Sequence, residues 1–186
     1  MKQLIPTFFL AVLLVSCGKD QLSDHFNCKD INTKNNLKEY RDFLKNFYIE
    51  IPDNWKTELF YDEYSSSVFA ADTTKNLTES FLLDISWRQG ELNIDDAFKK
   101  QLQDSVLNTQ RLTTIKDGMI TFKNKPSFFN LAGGKQGNYN YQFFQLYVKT
   151  GMDEYITLTS KVYGDKKIAR RICESIAYFN TLRIIK

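Results

Sequence analysis

Three cysteines, one histidine and a few adjacent acidic residues are the parts of this chain that could do chemistry. A thiol can take a lipid, pair with a second thiol, ligate a metal or act as a nucleophile. Cys17 closes the apolar run Phe8 to Val15, whereas Cys28 and Cys173 stand far apart and neither belongs to a C-x-x-C pair. That spacing gives no zinc or redox motif. The single histidine, His25, sits in a polar stretch beside Cys28, where nothing rigid is expected to orient it. A histidine-dependent triad or a multi-histidine metal site needs more than this. Asp62-Glu63 pairs two carboxylates, but an exposed turn is a poor place to shift a pKa. Gly133-Gly134-Lys135 lacks the P-loop spacing and its following Ser or Thr, so it reads as a hairpin loop. No catalytic residue, metal ligand or cofactor is expected, and the chain is not expected to be an enzyme.

Leu14-Val15-Ser16-Cys17 resembles the lipobox of bacterial lipoproteins, in which the cysteine takes a diacylglycerol and becomes the mature N-terminus. Met1-Lys2-Gln3 is a minimal positive n-region, and Leu4 to Val15 is too short for a membrane-spanning helix, which needs about 20 apolar residues. The alternative is an ordinary secretory signal, whose small-x-small rule is poorly met by Leu14 and Ser16. The resemblance implies a signal peptide over 1–16, a lipid-anchored tether over 17–35 and one domain over 36–186. It also implies a membrane-lipid partner through acylated Cys17 and an outer-membrane location, periplasmic or surface-exposed. Cys-Gly-Lys-Asp at 17–20 is partly similar to the surface-export signal of Bacteroidota lipoproteins.

The chain has 186 residues and a formal net charge of +3. This near balance, without a basic stripe, argues against nucleic acid as a partner. The length suits a single domain with its own core. Outside the cytosol, Cys28 and Cys173 are either two buried thiols or a disulfide. The compartment favours the bridge, worth about 5 kcal/mol on a chain-entropy model.

Around these residues the elements read in order. Asn36 to Glu39 has capping-box chemistry, and Leu37, Tyr40 and Leu44 share a helical face, which predicts a short helix. Phe47, Ile49 and Ile51 alternate up to Pro52 as a half-buried strand. Strands follow at 58–61, 67–71 and 81–88, then a helix capped by Asn93 with the stripe Ile94, Phe98, Leu102, Val106. From Arg111 the chain reads as a meander, with Asp117-Gly118 as a hairpin turn and strands at 111–116, 119–122, 127–132, 139–149 and 155–163. A last helix begins at Asp165 and carries Ile168, Ile172, Ile176 and Phe179 on one face, with Cys173 beside it.

The opening Phe47-Tyr48-Ile49-Glu50-Ile51-Pro52-x-x-Trp55, the helix order and the closing Ile176-Ala177-Tyr178-Phe179 resemble the Mog1/PsbP family, which includes DcrB-type lipoproteins. The resemblance covers roughly residues 46 to 183 and implies an α+β fold, an antiparallel β-sheet covered by helices in an α/β/α sandwich, with binding or assembly rather than catalysis. On the strand 139–149, Phe144, Leu146 and Val148 take one face and Tyr139, Tyr141, Phe143 and Tyr147 the other. Either helices or loops cover both faces, or the second face is a tyrosine-rich surface for a partner or ligand, with Trp55 and Trp87 lining the same groove. Thr73 and Ser105 lie in Asp-Ser/Thr tripeptides that resemble O-glycosylation sites of Bacteroidota. The expected function is a lipid-anchored, non-catalytic binding or assembly-accessory module with an envelope protein partner. The alternative is a small-molecule carrier or sensor with a pocket between sheet and helices.

Overall fold

The computed structural model describes residues 21–28, 31 and 36–185. The signal-peptide run, the lipobox and Cys17 lie outside the described residues. A short helix α1 (Leu22–His25) leads into strands β1 (Leu37–Arg41), β2 (Phe47–Pro52), β3 (Lys56–Tyr61), β4 (Ser65–Ala71) and β5 (Phe81–Gln89). Helix α2 (Asp96–Asn108) precedes β6 (Leu112–Phe122), β7 (Lys125–Gln136), β8 (Tyr139–Lys149) and β9 (Glu154–Tyr163). Helix α3 (Ile168–Phe179) and β10 (Arg183–Ile184) end the chain. Seven strands form one antiparallel sheet in the order β3-β4-β5-β9-β8-β7-β6, and three form a small sheet, β1-β2-β10.

The period-2 alternation seen in the sequence decides which face each strand buries. Phe81, Leu83 and Ile85 of β5, Ile156 and Leu158 of β9, and Phe144, Leu146 and Val148 of β8 pack in the main core. Above them lie Phe47, Ile49 and Ile51 of β2 and Ile172, Ile176 and Phe179 of α3. Helix α3 approaches β9 closely because small residues face each other: the hydroxyls of Ser160 and Ser175 are 2.7 Å apart. On the other face of the sheet, Leu102 and Val106 of α2 pack with Phe128, Ala132, Tyr141 and Phe143. Beneath this helix a polar chain crosses three strands, with Thr114 Oγ1 donating to Asn130 Oδ1 at 3.2 Å and Asn130 Nδ2 to Gln145 Oε1 at 3.5 Å. Gln145 Nε2 then donates to the Tyr147 hydroxyl at 2.8 Å.

Several expectations change. Residues 37–41 form a strand, not a helix, because their backbone pairs with β2 from Leu37 opposite Pro52 to Arg41 opposite Tyr48. Asp117-Gly118 lies inside β6, and the hairpin turns instead at Lys123-Asn124, both at positive φ (51° and 60°). Gly118 is small for a tertiary reason: a Cβ there would stand 3.0 Å from the Phe129 ring. Gly133 and Gly134 also continue a strand, β7, and face Ile115 and Leu112. The cap of α2 is Asp95, whose Oδ1 accepts from Phe98 N at 2.8 Å, rather than Asn93. Helix α3 starts at Ile168, with Lys167 left-handed before it, and not at Asp165.

Residues 21–28, part of the expected tether, pack onto the domain. Leu22 is buried in the main core, and Phe26 sets its edge against Phe129 and Phe144. His25 lies against Phe129, its ring centroid 5.0 Å away, so it is oriented after all, but by packing. Cys28 and Cys173 are bonded, with Sγ–Sγ 2.00 Å and Cα–Cα 5.3 Å across 145 residues of sequence. No helix among the described residues is long and apolar enough to cross a membrane.

Candidate binding surface

The six aromatics are separated by the sheet, so of the two readings the sequence offered, covered faces and a shared aromatic surface, the structure has covered faces. Tyr141 and Phe143 are buried under α2 with their rings stacked, and Tyr147 packs edge-on against Phe98 of that helix, centroids 5.2 Å apart. Helix α2 is the cover their apolar face required. Burial pushes the Tyr147 phenol up to about 12, reinforced by the neighbouring Tyr155, and it also raises Tyr141, with Tyr163 adding to the effect. Tyr139 alone of this group is well exposed, at 47%. Trp55 lies on the opposite side of the sheet, edge-on to Phe81 and Tyr178. Trp87 is half-buried on that side as well, its Nε1 donating to Glu154 Oε2 at 3.1 Å. The groove expected between these residues does not form, because the pleat sends Tyr141, Phe143 and Tyr147 to one layer and both tryptophans to the other. Thr73 is exposed in the β4–β5 connection and Ser105 is exposed on α2.

A different aromatic surface stands open at the end of the large sheet. Strand β3 is its edge, and Leu59, Phe60 and Tyr61 are all exposed although consecutive residues of a strand point to opposite faces. Phe43 and Leu44, from the β1–β2 turn, lie beside them. The Phe43 and Tyr61 rings stack at 3.6 Å with 7° between planes, and they remain 52% and 58% exposed. Tyr64 extends the patch at the hairpin tip.

Two short-range devices hold these rings out. Buried Asp42 accepts from Asn46 N at 2.6 Å and Phe47 N at 2.8 Å, closing the turn that presents Phe43 and Leu44. Leu44 N donates to Ser66 Oγ at 3.3 Å and ties that turn to β4. At the hairpin, Asp62 Oδ1 accepts from Tyr64 N at 2.8 Å and Oδ2 from Ser65 Oγ at 3.0 Å. Those bonds, the Tyr64 N–H foremost, hold the Asp62 carboxyl below its ordinary pKa. Asp62 is thus a turn former, and Glu63 makes no acid–base pair with it in a cleft.

The sequence shows the apolar run Leu59, Phe60 and Tyr61, and the place of β3 at the sheet edge leaves that run exposed on both faces. Such a run is a defect unless it has a use. An edge strand also turns unpaired backbone N–H and C=O groups outward, which suits it to pairing with another extended chain. Among the described residues no strand pairs with the outer side of β3. As for metals, no three His, Cys, Asp or Glu side chains among the described residues are grouped to hold an ion.

The solution structure of cyanobacterial PsbP (CyanoP) from Synechocystis sp. PCC 6803 superposes with a TM-score of 0.58 at 9% identity, covering 84% of this chain and 96% of that one. The Ran-binding protein Mog1p of Saccharomyces cerevisiae superposes at 0.54 with 11% identity, covering 81% and 96%. This is the Mog1/PsbP-like fold. No protein-family model and no curated protein matches the sequence. At such low identities the likeness concerns the Mog1/PsbP-like fold alone, and it leaves the aromatic edge to be argued from its own geometry.

Proposed function

We propose that this Mog1/PsbP-like domain is a lipid-anchored, non-catalytic accessory module of the cell envelope that holds a protein partner on the aromatic edge β3. The observation that carries this reading is the exposed group Phe43, Leu59, Phe60, Tyr61 and Tyr64 around an unpaired strand. Aromatic side chains supply large contact area at low entropic cost and are enriched at interfaces. The partner is an extended segment with apolar side chains, added as a further strand. Its backbone would meet the open edge while its side chains lie against Leu59 and Tyr61 on one face and Phe60 on the other.

The acyl anchor at Cys17 fits this arrangement. Helix α1 packs over β7 and β8 through Phe26. From β7 to β3 there are five strand spacings, about 24 Å. The four-residue step from Gln21 back to Cys17 reaches at most about 14 Å. The lipid would therefore hold the β6–β8 end near the bilayer and leave the β3 edge at the far end, open to a partner. Two or three acyl chains on one cysteine would make attachment stable where one chain would not.

Replacing Leu59 and Tyr61 together by lysine puts two charges on the edge, a device that discourages strand addition. The doubly substituted protein should fold normally and lose the partner that co-purifies with the acylated wild type from solubilised membranes. Retention of that partner at full yield would refute the assignment to β3. Cys17→Ala should move the protein from the membrane fraction to the soluble fraction.

A further inference from the structure

The start of α3 forms a second surface, on chemistry the aromatic edge does not use. A cleft of about 410 Å³ is lined by Lys75, Lys166, Lys167, Arg170 and Arg171 together with Glu79 and Glu174. Both carboxylates are engaged: Lys166 Nζ is 2.8 Å from Glu79 Oε1, and Arg170 Nε is 2.9 Å from Glu174 Oε1. Lys75 is paired with Asp72 at 2.8 Å. Among the described residues that pairing leaves Lys167 and Arg171 without a carboxylate in salt-bridge contact, although Glu174, Asp165 and Glu79 act on Arg171 at longer range, so the lining carries positive charge in excess.

Arg171 is the unusual member, since it is only 3% exposed. Its Nη1 donates to the carbonyls of Ser80 at 2.7 Å and Tyr163 at 2.8 Å, and its Nη2 to that of Gly164 at 3.3 Å. Its buried Nε has no hydrogen-bond partner among the described residues. A buried cation with no carboxylate in direct contact is costly, and the carbonyl dipoles with the longer-range attraction of Glu174, Asp165 and Glu79 offset that cost only in part. Burial accordingly lowers the Arg171 pKa from its ordinary value. Helix α3, 12 residues long, opens on the same cleft with no side-chain cap and no acidic residue in its first turn. Its N-terminal dipole adds to the positive potential.

We propose that this cleft binds a phosphomonoester group, whose negative charge answers the excess of positive charge in the lining and whose oxygens suit Lys167, Arg170 and the first turn of α3. The volume exceeds what a bare ion needs and falls in the range of small-ligand sites, so the phosphate belongs to a larger molecule. A membrane lipid with a phosphomonoester headgroup and a soluble phosphorylated metabolite share this chemistry.

The test is titration calorimetry on the acylated full chain in detergent, with four probes: inorganic phosphate, glycerol phosphate, dihexanoyl phosphatidic acid and, as a phosphodiester control, dihexanoyl phosphatidylcholine. Saturable binding of the first three but not the last supports the site. Tighter binding of phosphatidic acid than of glycerol phosphate identifies a lipid source, and equal binding identifies a soluble one. Because Arg171 holds three backbone carbonyls and its loss could unfold the protein, the diagnostic variant is Lys167→Glu. It should weaken binding by about tenfold or more with the melting temperature unchanged, while Lys135→Gln on exposed β7 should change nothing. No saturable binding, equal binding of the phosphodiester, or indifference to Lys167→Glu would overturn the proposal. None of these outcomes depends on the β3 edge.

Discussion

Tyr147 and Gly118 show how residue-level chemistry is decided by what lies above it. A free tyrosine ionises near 10, but burial under α2 holds the Tyr147 phenol up to about 12 and raises Tyr141 too. The neutral phenol is the form the fold accepts. Stability from this source is therefore complete below about pH 10 and is lost as the pH climbs towards the folded value. Spectrophotometric titration should show a class of tyrosines that stays protonated past pH 10 and ionises together with unfolding. Gly118 lies under the Phe129 ring, where an added Cβ would stand only 3.0 Å from the ring and has no room. Gly118→Val should destabilise by about 1–3 kcal/mol, read as a lower denaturation midpoint at unchanged m-value. The sequence offers Asp117-Gly118 as a hairpin turn because the dipeptide has that chemistry. What overrides it is a ring from the neighbouring strand, which no local pattern reveals. The real turn, Lys123-Asn124, lacks the glycine signature and relies on two non-glycine residues at positive φ.

At the scale of elements, long alternating or striped segments were legible. Strands β5, β8 and β9, and helices α2 and α3, stand within a few residues of where periodicity puts them, because each buries a continuous apolar face. Short elements were not. Residues 37–41 carry a capping box, yet pairing to β2 outweighs a few tenths of a kcal/mol of helix preference per residue. The candidate site followed the same division. The alternation of β8 correctly sorted its aromatics by face, but it could not say that α2 would cover one of them. The β3 edge is not legible in the sequence because 58–61 reads as a strand like any other, and only the sheet order makes β3 the last in line. The bridge from Cys28 to Cys173 fastens α1 to α3 across 145 residues. Exchanging both cysteines for serine should cost about 2–5 kcal/mol, and hydrogen exchange should report early loss of protection at 22–28 while the central strands remain protected.

For the whole molecule, the proposed function makes the sheet a spacer between an anchored end and a binding end. Its β7–β8 end carries α1, its β3 end carries the aromatic edge, and the basic cleft lies at the start of α3. The proposal that a partner strand adds to β3 is tested most directly by photo-crosslinking in intact membranes. A photoreactive phenylalanine analogue at position 61 is compared with one at position 139, where Tyr139 is similarly exposed at 47% but far from the edge. The account predicts one discrete adduct from position 61, lost when Leu59→Lys is added, and none from position 139. An adduct from position 139 with none from 61, or a position-61 adduct that survives Leu59→Lys, would contradict it.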